Sequence, residues 1–289
     1  MMTSDNSLDH STPSTVRPVE NRRTTHSNPV GTIAARIEER LDRIIELLRE
    51  DAEQETIAPL MTPPGFLLSV VIPVFNEAET IEEVVRRVEK LPVAKEIILV
   101  DDGSTDGTRE RLEQMKRHRV ILKDRNEGKG AALRDGFAAA VGTVIVVQDA
   151  DLEYHPADIL RLLPPLLEGR ADVVYGSRFL GDEPCDPSWL HRVGNAMLTR
   201  LSNCVTGLKL TDMETCYKAF RKDVLRDLPI HQDRFGFEPE VTAKLARRGW
   251  RFCEVPVAYD PRGYEEGKKI GWRDGFNAIY CILRYAWWD

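Results

Sequence analysis

Apolar residues recur with two different periods along the chain. Short runs such as Leu68–Val74 and Thr143–Gln148 are mostly apolar and β-branched, which is typical of strands that are buried on both faces of a sheet. Stretches such as Ala78–Lys90 instead repeat apolar residues every three or four positions, which predicts amphipathic helices. The pattern therefore predicts an alternating series of strands and helices.

The pattern predicts five strands and five helices in this series. The predicted strands are Leu68–Val74, Glu96–Val100, Val120–Leu122, Thr143–Gln148 and Asp172–Tyr175. The predicted helices are Ala78–Lys90, Asp106–Arg117, Lys129–Val141, Pro156–Glu168 and Phe235–Gly249. Strands that alternate with helices favour an α/β fold, in which a mostly parallel sheet is flanked by helices. In such sheets ligands bind beyond the carboxyl ends of the strands.

Two segments precede this series. Residues 1–30 are rich in Ser, Thr, Asn and Pro, so we expect a disordered tail. Residues 31–62 are predicted to form an amphipathic helix and a linker, with apolar positions at Ile37, Leu41, Ile44 and Leu48. This helix either docks on the domain or pairs with its copy in a homo-oligomer through residues 31–55, and a membrane-surface role is the alternative. The main domain is predicted to span residues 63–289.

Composition narrows the class of protein. The chain has 289 residues, of which 42% are hydrophobic, and this is enough to build a large core. Its net charge of −7 argues against nucleic acid as a partner. The five cysteines include no CxxC pair, which favours a reduced cytosolic compartment. No apolar run reaches the roughly 20 residues that a membrane-spanning helix needs, so we expect a chain that does not cross a membrane on its own.

The last stretch of the chain, Phe276–Trp288, reads FNAIYCILRYAWW. It is too short to span a bilayer but rich in aromatic residues, which are favoured at membrane interfaces and at hydrophobic protein surfaces. Two interpretations remain. The stretch is either a final helix that packs on the domain or a segment that contacts a membrane or a hydrophobic partner.

Chemically specific residues follow every predicted strand. In chain order these groups are Phe75–Glu77, Asp101–Ser104, Arg125–Gly130, Asp149–Glu153 and Gly176–Arg178. They combine acceptors for a base and a ribose, glycines that permit a close backbone approach, and cations for phosphate. Lys129 is the cation that we expect to contact a nucleotide phosphate. Taken together, these groups predict a binding site at one edge of the sheet.

Three carboxylates, Asp149, Asp151 and Glu153, stand at steps of two directly after the strand Thr143–Gln148. They point to one side if the chain stays extended. Like charges that lie close together repel, so their natural partner is a hard cation with oxygen ligands. The spacing predicts a divalent metal site, and an acidic surface turn is the alternative.

The second half of the chain offers candidates for the acceptor side. Asp212 follows a strand-like LKLT stretch and precedes Lys218 and Arg221. It is either a buried carboxylate paired with a cation or a group that orients the acceptor. Glu238 and Glu240 stand in the first turn of a predicted helix, where the helix dipole alone favours carboxylates. A sugar-binding role is their alternative.

Several motifs resemble, in order and spacing, those of the family 2 glycosyltransferases of the GT-A fold. They are VVIPVFNE, VDDGSTDGT, RNEGKGAALRDG, DADLEYHP and YGSRF, followed by TDMETCYKAFRKDV, FGFEPEVTAKLARRG and EEGKKIGWRDG. The likeness is strongest to the branch of dolichyl- and polyprenyl-phosphate mannosyl- and glucosyltransferases. It implies a Rossmann-like GT-A sheet and an inverting, Mg²⁺- or Mn²⁺-dependent hexosyltransferase. It also implies transfer of mannose or glucose from GDP-mannose or UDP-glucose to polyprenyl or dolichyl phosphate.

The resemblance also implies a location and a set of site residues. The location is the cytoplasm, at the inner face of a membrane, reached by peripheral contact or through a membrane partner subunit. The implied residues for the nucleotide sugar are Pro73, Phe75, Glu77, Asp101, Asp102, Arg178, Arg262 and Lys268. The implied metal ligands are Asp149, Asp151 and Glu153, and the implied catalytic group is Asp149, Asp151, Asp212 and Arg178. Arg262 and Lys268 fall on a loop that closes over the diphosphate.

Two other functions remain open. One is a family 2 glycosyltransferase that uses a sugar or protein hydroxyl in the synthesis of cell-surface polysaccharide, and the other is a non-catalytic module that binds a nucleotide sugar. A hydroxyl acceptor needs a general base, whereas a phosphate monoester is largely ionised at neutral pH because its second pKa is about 6. The chain lacks a QxxRW stretch, which is a feature of the processive polysaccharide synthases.

Overall fold

Seven strands occur in the part of the chain that the computed structural model describes, which is residues 60–181, 189–261 and 272–288. They are β1 (Leu68–Val74), β2 (Lys95–Asp101), β3 (Arg119–Leu122), β4 (Val144–Val147), β5 (Val173–Ser177), β6 (Lys218–Arg221) and β7 (Phe252–Pro256). The helices are α1 (Ile81–Glu89), α2 (Thr108–Gln114), α3 (Lys129–Ala139), α4 (Ile159–Leu167), α5 (Trp189–Thr206), α6 (Lys222–Leu225), α7 (Phe237–Arg247) and α8 (Trp272–Trp287). A single 3₁₀ turn, Pro156–Asp158, precedes α4.

The strands form one sheet in the order β3-β2-β1-β4-β6-β5-β7. β1 lies between β2 and β4 and is parallel to both, and β2 is parallel to β3. β6 is inserted between β4 and β5 and runs antiparallel to both, whereas β7 is parallel to β5. The predicted mostly parallel α/β sheet is therefore confirmed. The sequence pattern does not predict β6 or β7, because β6 begins and ends with a basic residue and β7 contains a glutamate and a proline, so neither is an apolar run.

The five strands and five helices of the predicted alternating series are all present, but the helices are shorter than the pattern predicts. The helix predicted from Ala78 begins at Ile81, and the helix predicted from Asp106 begins at Thr108. The Asp106 carboxylate accepts hydrogen bonds from the amides of Thr108 (3.1 Å) and Ala78 (3.1 Å). Because this carboxylate satisfies backbone amides on two loops, Asp106 belongs to a turn ahead of the helix.

The LKLT stretch, Leu208–Thr211, is irregular, so its assignment as strand-like is wrong. The Leu210 amide donates to Asn203 Oδ1 (3.0 Å), and Asn203 Nδ2 donates to the Leu210 carbonyl (2.7 Å). A side chain on α5 thus satisfies backbone groups that a neighbouring strand would otherwise satisfy. The predicted tail of residues 1–30 and the predicted helix of residues 31–55 lie outside the described residues.

Helix α3 packs directly on β1, and Gly136 makes the close approach possible. A Cβ atom at this position would overlap the side chain of Val71 in the buried centre of β1. Since α3 carries Lys129 in its first turn, this packing fixes the lysine near the carboxyl end of the sheet.

The last helix, α8, packs against α5 and α7. Its buried residues are Ala278, Cys281, Ile282 and Tyr285. One face of Phe276–Trp288 therefore packs on the domain, which is the first of the two interpretations left open for this stretch. No helix in the described part of the chain combines the length and the hydropathy that crossing a bilayer requires.

Candidate active site

The loops after β1 and β2 are held together by Asn76. Its backbone lies in the left-handed region (φ 54°), its amide donates to Ser104 Oγ (2.9 Å), and its Oδ1 accepts from the Thr105 amide (2.9 Å). Asn is one of the few residues other than glycine that adopt this conformation readily. The connection brings together the two groups of residues predicted to bind the nucleotide, Pro73 to Glu77 and Asp101 to Asp102.

Asp101 and Asp102 are both buried and both bind protein groups. The Asp101 carboxylate accepts from Arg109 Nε (2.9 Å) and Nη2 (2.8 Å). The Asp102 carboxylate accepts from the amides of Glu127 (3.0 Å) and Gly128 (2.6 Å). Asp102 therefore fixes the loop between β3 and α3, and contact of either aspartate with a base or ribose stays a prediction.

The glycines of the GKG segment permit close packing of a second loop. Cβ atoms at Gly128 and Gly130 would overlap the backbone carbonyl oxygens of Asp233 and Gln232, respectively. The Ala131 amide donates to the Asp233 carbonyl (3.0 Å). The backbone that packs against these glycines therefore belongs to the second half of the chain. The segment is thereby fixed at the edge of the site.

Lys129 is the centre of one charged cluster. Its Nζ lies 3.0 Å from Asp149 Oδ1, 3.1 Å from Asp149 Oδ2 and 3.2 Å from Glu238 Oε1. Burial disfavours the charged form of the lysine, but the charges of Asp149 and Glu238 outweigh it and hold its pKa well above the ordinary value. The lysine thus stays protonated and connects the end of β4 to α7.

The predicted metal carboxylates do not lie on one side of an extended segment. Leu152 has a φ of 63°, so the backbone turns between Asp151 and Glu153. The Glu153 amide donates to Asp151 Oδ1 (3.2 Å), and Glu153 Oε2 accepts from the Tyr259 hydroxyl (3.0 Å). Among the described residues no group of three His, Cys, Asp or Glu side chains is arranged to hold a metal ion.

Asp149 and Asp151 still fit a divalent cation by their chemistry. Both oxygens of Asp149 already face a positive charge, the ammonium of Lys129. The surroundings of Asp149 thus accommodate a positive charge beside its carboxylate. The assignment of Asp149, Asp151 and Glu153 as ligands stays a prediction, with Glu153 directed to Tyr259 in this structure.

Arg178 and Asp212 form a second charged cluster. Arg178 Nε lies 2.7 Å from Asp212 Oδ2, and Nη2 lies 2.8 Å from Oδ1, so the pair is bidentate. The Arg178 amide (3.1 Å) and Asn195 Nδ2 (3.0 Å) also donate to this carboxylate. Burial raises the pKa of Asp212, but the charge and hydrogen bonds of Arg178 outweigh it and lower the pKa below its ordinary value. Asp212 is therefore an ionised carboxylate at neutral pH.

The pairing of Asp212 with a cation agrees with one of its two interpretations, but the cation is Arg178. The nearby Lys218 donates instead to the carbonyls of Met213 (2.9 Å) and Thr215. Arg221 pairs with Asp223 at 2.7 Å. The Arg178 guanidinium also lies over the ring of Tyr259, 5.1 Å from its centroid. Arg178 is thus fixed on two sides.

Glu214 lies between the two charged clusters and is not singled out by the sequence pattern. Its Oε1 is shielded from solvent and has no hydrogen-bond partner among the described residues. Burial and the charge of Glu238 raise the pKa of Glu214 to about 8, although the charges of Lys218 and Arg178 lower it. The carboxyl is therefore mostly neutral at pH 7. Its position two residues after Asp212 in TDMETCYKAF is the signal that could have identified it.

The two glutamates of α7 have different roles. Glu238 pairs with Lys129, as described above. Glu240 is fully buried, lies 2.8 Å from Lys244 Nζ, and accepts from the amides of His231 (2.8 Å) and Gln232 (2.7 Å). Glu240 therefore anchors the loop that packs on the GKG segment. The predicted loop residues Arg262 and Lys268 lie outside the described residues.

The sequence profile described as "Glycosyl transferase family 2" matches residues 69–229, more than half of the chain. The chain belongs to this family. The match spans the strands β1 to β6, Lys129 and the Arg178–Asp212 pair. The family predicted from the motifs is therefore confirmed.

The chain is also similar to Glycosyltransferase AglJ of Haloferax volcanii, with 34% identity over 201 residues. The matched region covers 69% of this chain and 65% of AglJ, so the chain spans slightly less than two thirds of that relative's length.

Solved structures show the same fold. Glucosyl-3-phosphoglycerate synthase of Mycobacterium tuberculosis, in complex with Mn²⁺, uridine diphosphate and glucosyl-3-phosphoglycerate, aligns with a TM-score of 0.60 and 25% identity. The alignment covers 78% of this chain and 81% of that one. The same enzyme with Mg²⁺ and uridine diphosphate aligns with a TM-score of 0.59, 25% identity and the same coverage. The predicted GT-A-type architecture is confirmed.

Proposed function

We propose that this protein is a metal-dependent, inverting glycosyltransferase that transfers mannose or glucose from a nucleotide sugar to the phosphate of a polyprenyl or dolichyl lipid. The observation that carries the proposal is the state of the carboxylates around Arg178. Asp212 is ionised and paired on both oxygens, and Glu214 is mostly neutral. Asp212 is therefore not free to act as a general base at neutral pH. This environment suits a nucleophile that arrives already ionised, as a phosphate monoester does.

The nucleotide-sugar half of the proposal is supported by the family and by the solved structures, which contain uridine diphosphate with Mn²⁺ or Mg²⁺. In this chain Asp149 and Asp151 are the residues that would hold the ion. When bound, a divalent ion neutralises charge on the departing diphosphate. Lys129 contacts Asp149, and we infer that it donates to the same phosphates.

The transfer step follows from this arrangement. An oxygen of the acceptor phosphate attacks the anomeric carbon, the bond from that carbon to the nucleoside diphosphate breaks on the opposite face, and the configuration inverts. No proton has to leave the acceptor. Arg178 has a planar guanidinium suited to a phosphate, and its pairing with Asp212 fixes its orientation. The protein thus positions two anions, the acceptor phosphate and the nucleoside diphosphate, and its cations reduce the repulsion between them.

We also propose that the reaction takes place at the cytoplasmic face of a membrane. The acceptor is a membrane lipid and the donor is a soluble nucleotide sugar. The cysteines in the described part of the chain, Cys204, Cys216, Cys253 and Cys281, are all free thiols, which is usual in a reducing compartment. Self-association through residues 31–55 stays a prediction.

The direct test is a transfer assay with purified full-length protein. Labelled GDP-mannose or UDP-glucose is incubated with polyprenyl phosphate and MgCl₂ or MnCl₂, and the lipid is extracted. We expect one of the two donors to label the lipid. Label that reaches only a sugar or protein hydroxyl contradicts the lipid acceptor, and intact donor with every acceptor favours the non-catalytic module.

A hydroxyl acceptor is the second candidate, and two observations favour it. Two of the solved structures that align with this chain are of an enzyme crystallised with glucosyl-3-phosphoglycerate or with phosphoglyceric acid. In addition, the raised pKa of Glu214 lies close to neutral pH, where a general base works best. The two candidates differ in what they require of this one carboxyl.

Replacing Glu214 by Gln separates the two candidates. Gln keeps the size and hydrogen-bonding capacity of a neutral carboxyl but cannot accept a proton. If the acceptor is a phosphate, we expect kcat within about threefold of wild type, a barrier change under about 1 kcal/mol. If Glu214 is the base for a hydroxyl acceptor, kcat falls by roughly two to four orders of magnitude. The check is kcat measured across about pH 6 to 9, which brackets the Glu214 pKa.

A further inference from the structure

Exposed apolar side chains are concentrated on two neighbouring helices. Eight of the thirteen large hydrophobic side chains that are exposed in the described residues lie on α5 and α8. On α5 they are Trp189, Val193 and Met197, and on α8 they are Phe276, Ile279, Tyr280, Leu283 and Trp287. The two helices pack against each other. A concentration of this kind marks an interaction site rather than an ordinary surface.

Each helix presents this set on a single face. The α5 residues are spaced by four, which places them along one stripe. The exposed residues of α8 lie on the face opposite to the buried Ala278, Cys281 and Tyr285. Trp189 is 71% exposed, Met197 66% and Trp287 66%, so these side chains contribute little to the core. The apolar character of the two faces is therefore unexplained by folding.

The charged residues of α5 and of residues 275–288 are all basic, whereas Asp274 precedes this stretch in the first turn of α8. Arg192 and Arg200 are exposed on α5, and α5 contains no acidic residue. The stretch 275–288 contains one arginine and no acidic residue. The whole chain, by contrast, has a net charge of −7. A basic apolar surface on an acidic protein fits an anionic partner.

We propose that the exposed faces of α5 and α8 form one surface that binds an anionic lipid bilayer. Trp, Tyr and Phe side chains are favoured at the level of the lipid headgroups. Amphipathic helices that combine such residues with arginine lie in the plane of the interface and are attracted to anionic lipids. The proposal concerns binding only. It is independent of the acceptor proposed above.

A second copy of the chain fits this surface less well. In a two-fold symmetric dimer the same patch occurs on both subunits, so Arg192 and Arg200 would face a surface without carboxylates on α5 or on the stretch 275–288. Unpaired like charges at such an interface are unfavourable. Lipid phosphates instead supply the anions that these arginines require.

The test is binding of the full-length chain to sedimented vesicles. Vesicles of phosphatidylcholine alone are compared with vesicles that also contain phosphatidylglycerol. We expect binding to the anionic vesicles that weakens as salt is raised. The double variant Met197→Glu/Tyr280→Glu changes two exposed positions and should bind at least about tenfold more weakly. The matched control is Met61→Glu, because Met61 is 90% exposed and lies outside α5 and α8.

A second pair of variants tests the charges. Arg192→Gln/Arg200→Gln should weaken binding to anionic vesicles by about fivefold for each arginine, or about 1 kcal/mol each, and should reduce the dependence on salt. Circular dichroism and gel filtration confirm that each variant is folded. Equal binding of wild type and the Met197→Glu/Tyr280→Glu variant overturns the proposal. The proposal is also overturned if the wild type is a dimer and the Met197→Glu/Tyr280→Glu variant is a monomer with unchanged vesicle binding. In that case the surface joins two copies of the chain.

Discussion

Replacing Asp149 by Asn is expected to lower kcat about a thousandfold, close to 4 kcal/mol of transition-state stabilisation. Asn keeps the shape of the side chain but removes the negative charge that a divalent cation requires. The fold should persist, because Lys129 retains its ion pair with Glu238 at 3.2 Å. The expected result is thus a folded protein that binds metal poorly.

Metal binding can be measured without turnover. We expect the Kd for Mn²⁺, determined by titration calorimetry in the presence of uridine diphosphate, to rise at least about tenfold in the Asp149→Asn variant. Asp223→Asn is the matched control, since Asp223 pairs with Arg221 outside the site. Full activity of Asp149→Asn, or of wild type in excess chelator, contradicts the metal assignment.

The buried strands could be predicted because their apolar runs are long and unambiguous. β1 and β4 are buried along almost their whole length, and the pattern predicts both. Helix α5 is not predicted, because it carries apolar residues on its exposed face as well as toward the domain. Trp189, Val193 and Met197 blur the helical period of the stretch. The residues that obscure the helix are the ones that we propose contact lipid.

The location of the site could also be predicted, because in parallel sheets ligands bind beyond the carboxyl ends of the strands. The ion pairs within the site could not be predicted from the sequence. Lys129 pairs with Glu238 and Arg178 pairs with Asp212, and each pair joins residues that are far apart in sequence. Sequence proximity instead favours Lys218 and Arg221 as partners of Asp212. Likewise, nothing in DADLE shows that the backbone turns at Leu152.

Replacing Arg178 by Lys is expected to lower kcat at least about a hundredfold, close to 3 kcal/mol. A lysine cannot form both bonds that Arg178 makes to Asp212, at 2.7 and 2.8 Å. Its ammonium would also have to serve both Asp212 and the acceptor phosphate. The matched control is Arg221→Lys, because Arg221 makes a similar pair with Asp223 away from the site. We expect that control to keep nearly full activity.

Stability measurements distinguish a positioning role from a structural one. Because the pKa of Asp212 is lowered in the folded protein, the stabilisation from its pairing is complete at neutral pH and is lost only as the pH falls below the ordinary value of 3.8. At pH 7, removing the cation with Arg178→Met leaves a buried charge unpaired and should cost about 3 to 5 kcal/mol of unfolding free energy.

The double variant Arg178→Met/Asp212→Leu removes both charges and should recover most of that stability. If the pair only supports the fold, activity recovers together with stability. If Arg178 holds the acceptor phosphate, the double variant is as stable as wild type and still about a hundredfold slower, since no cation replaces the guanidinium. Recovery of kcat in a stable double variant would therefore remove Arg178 from the transfer step.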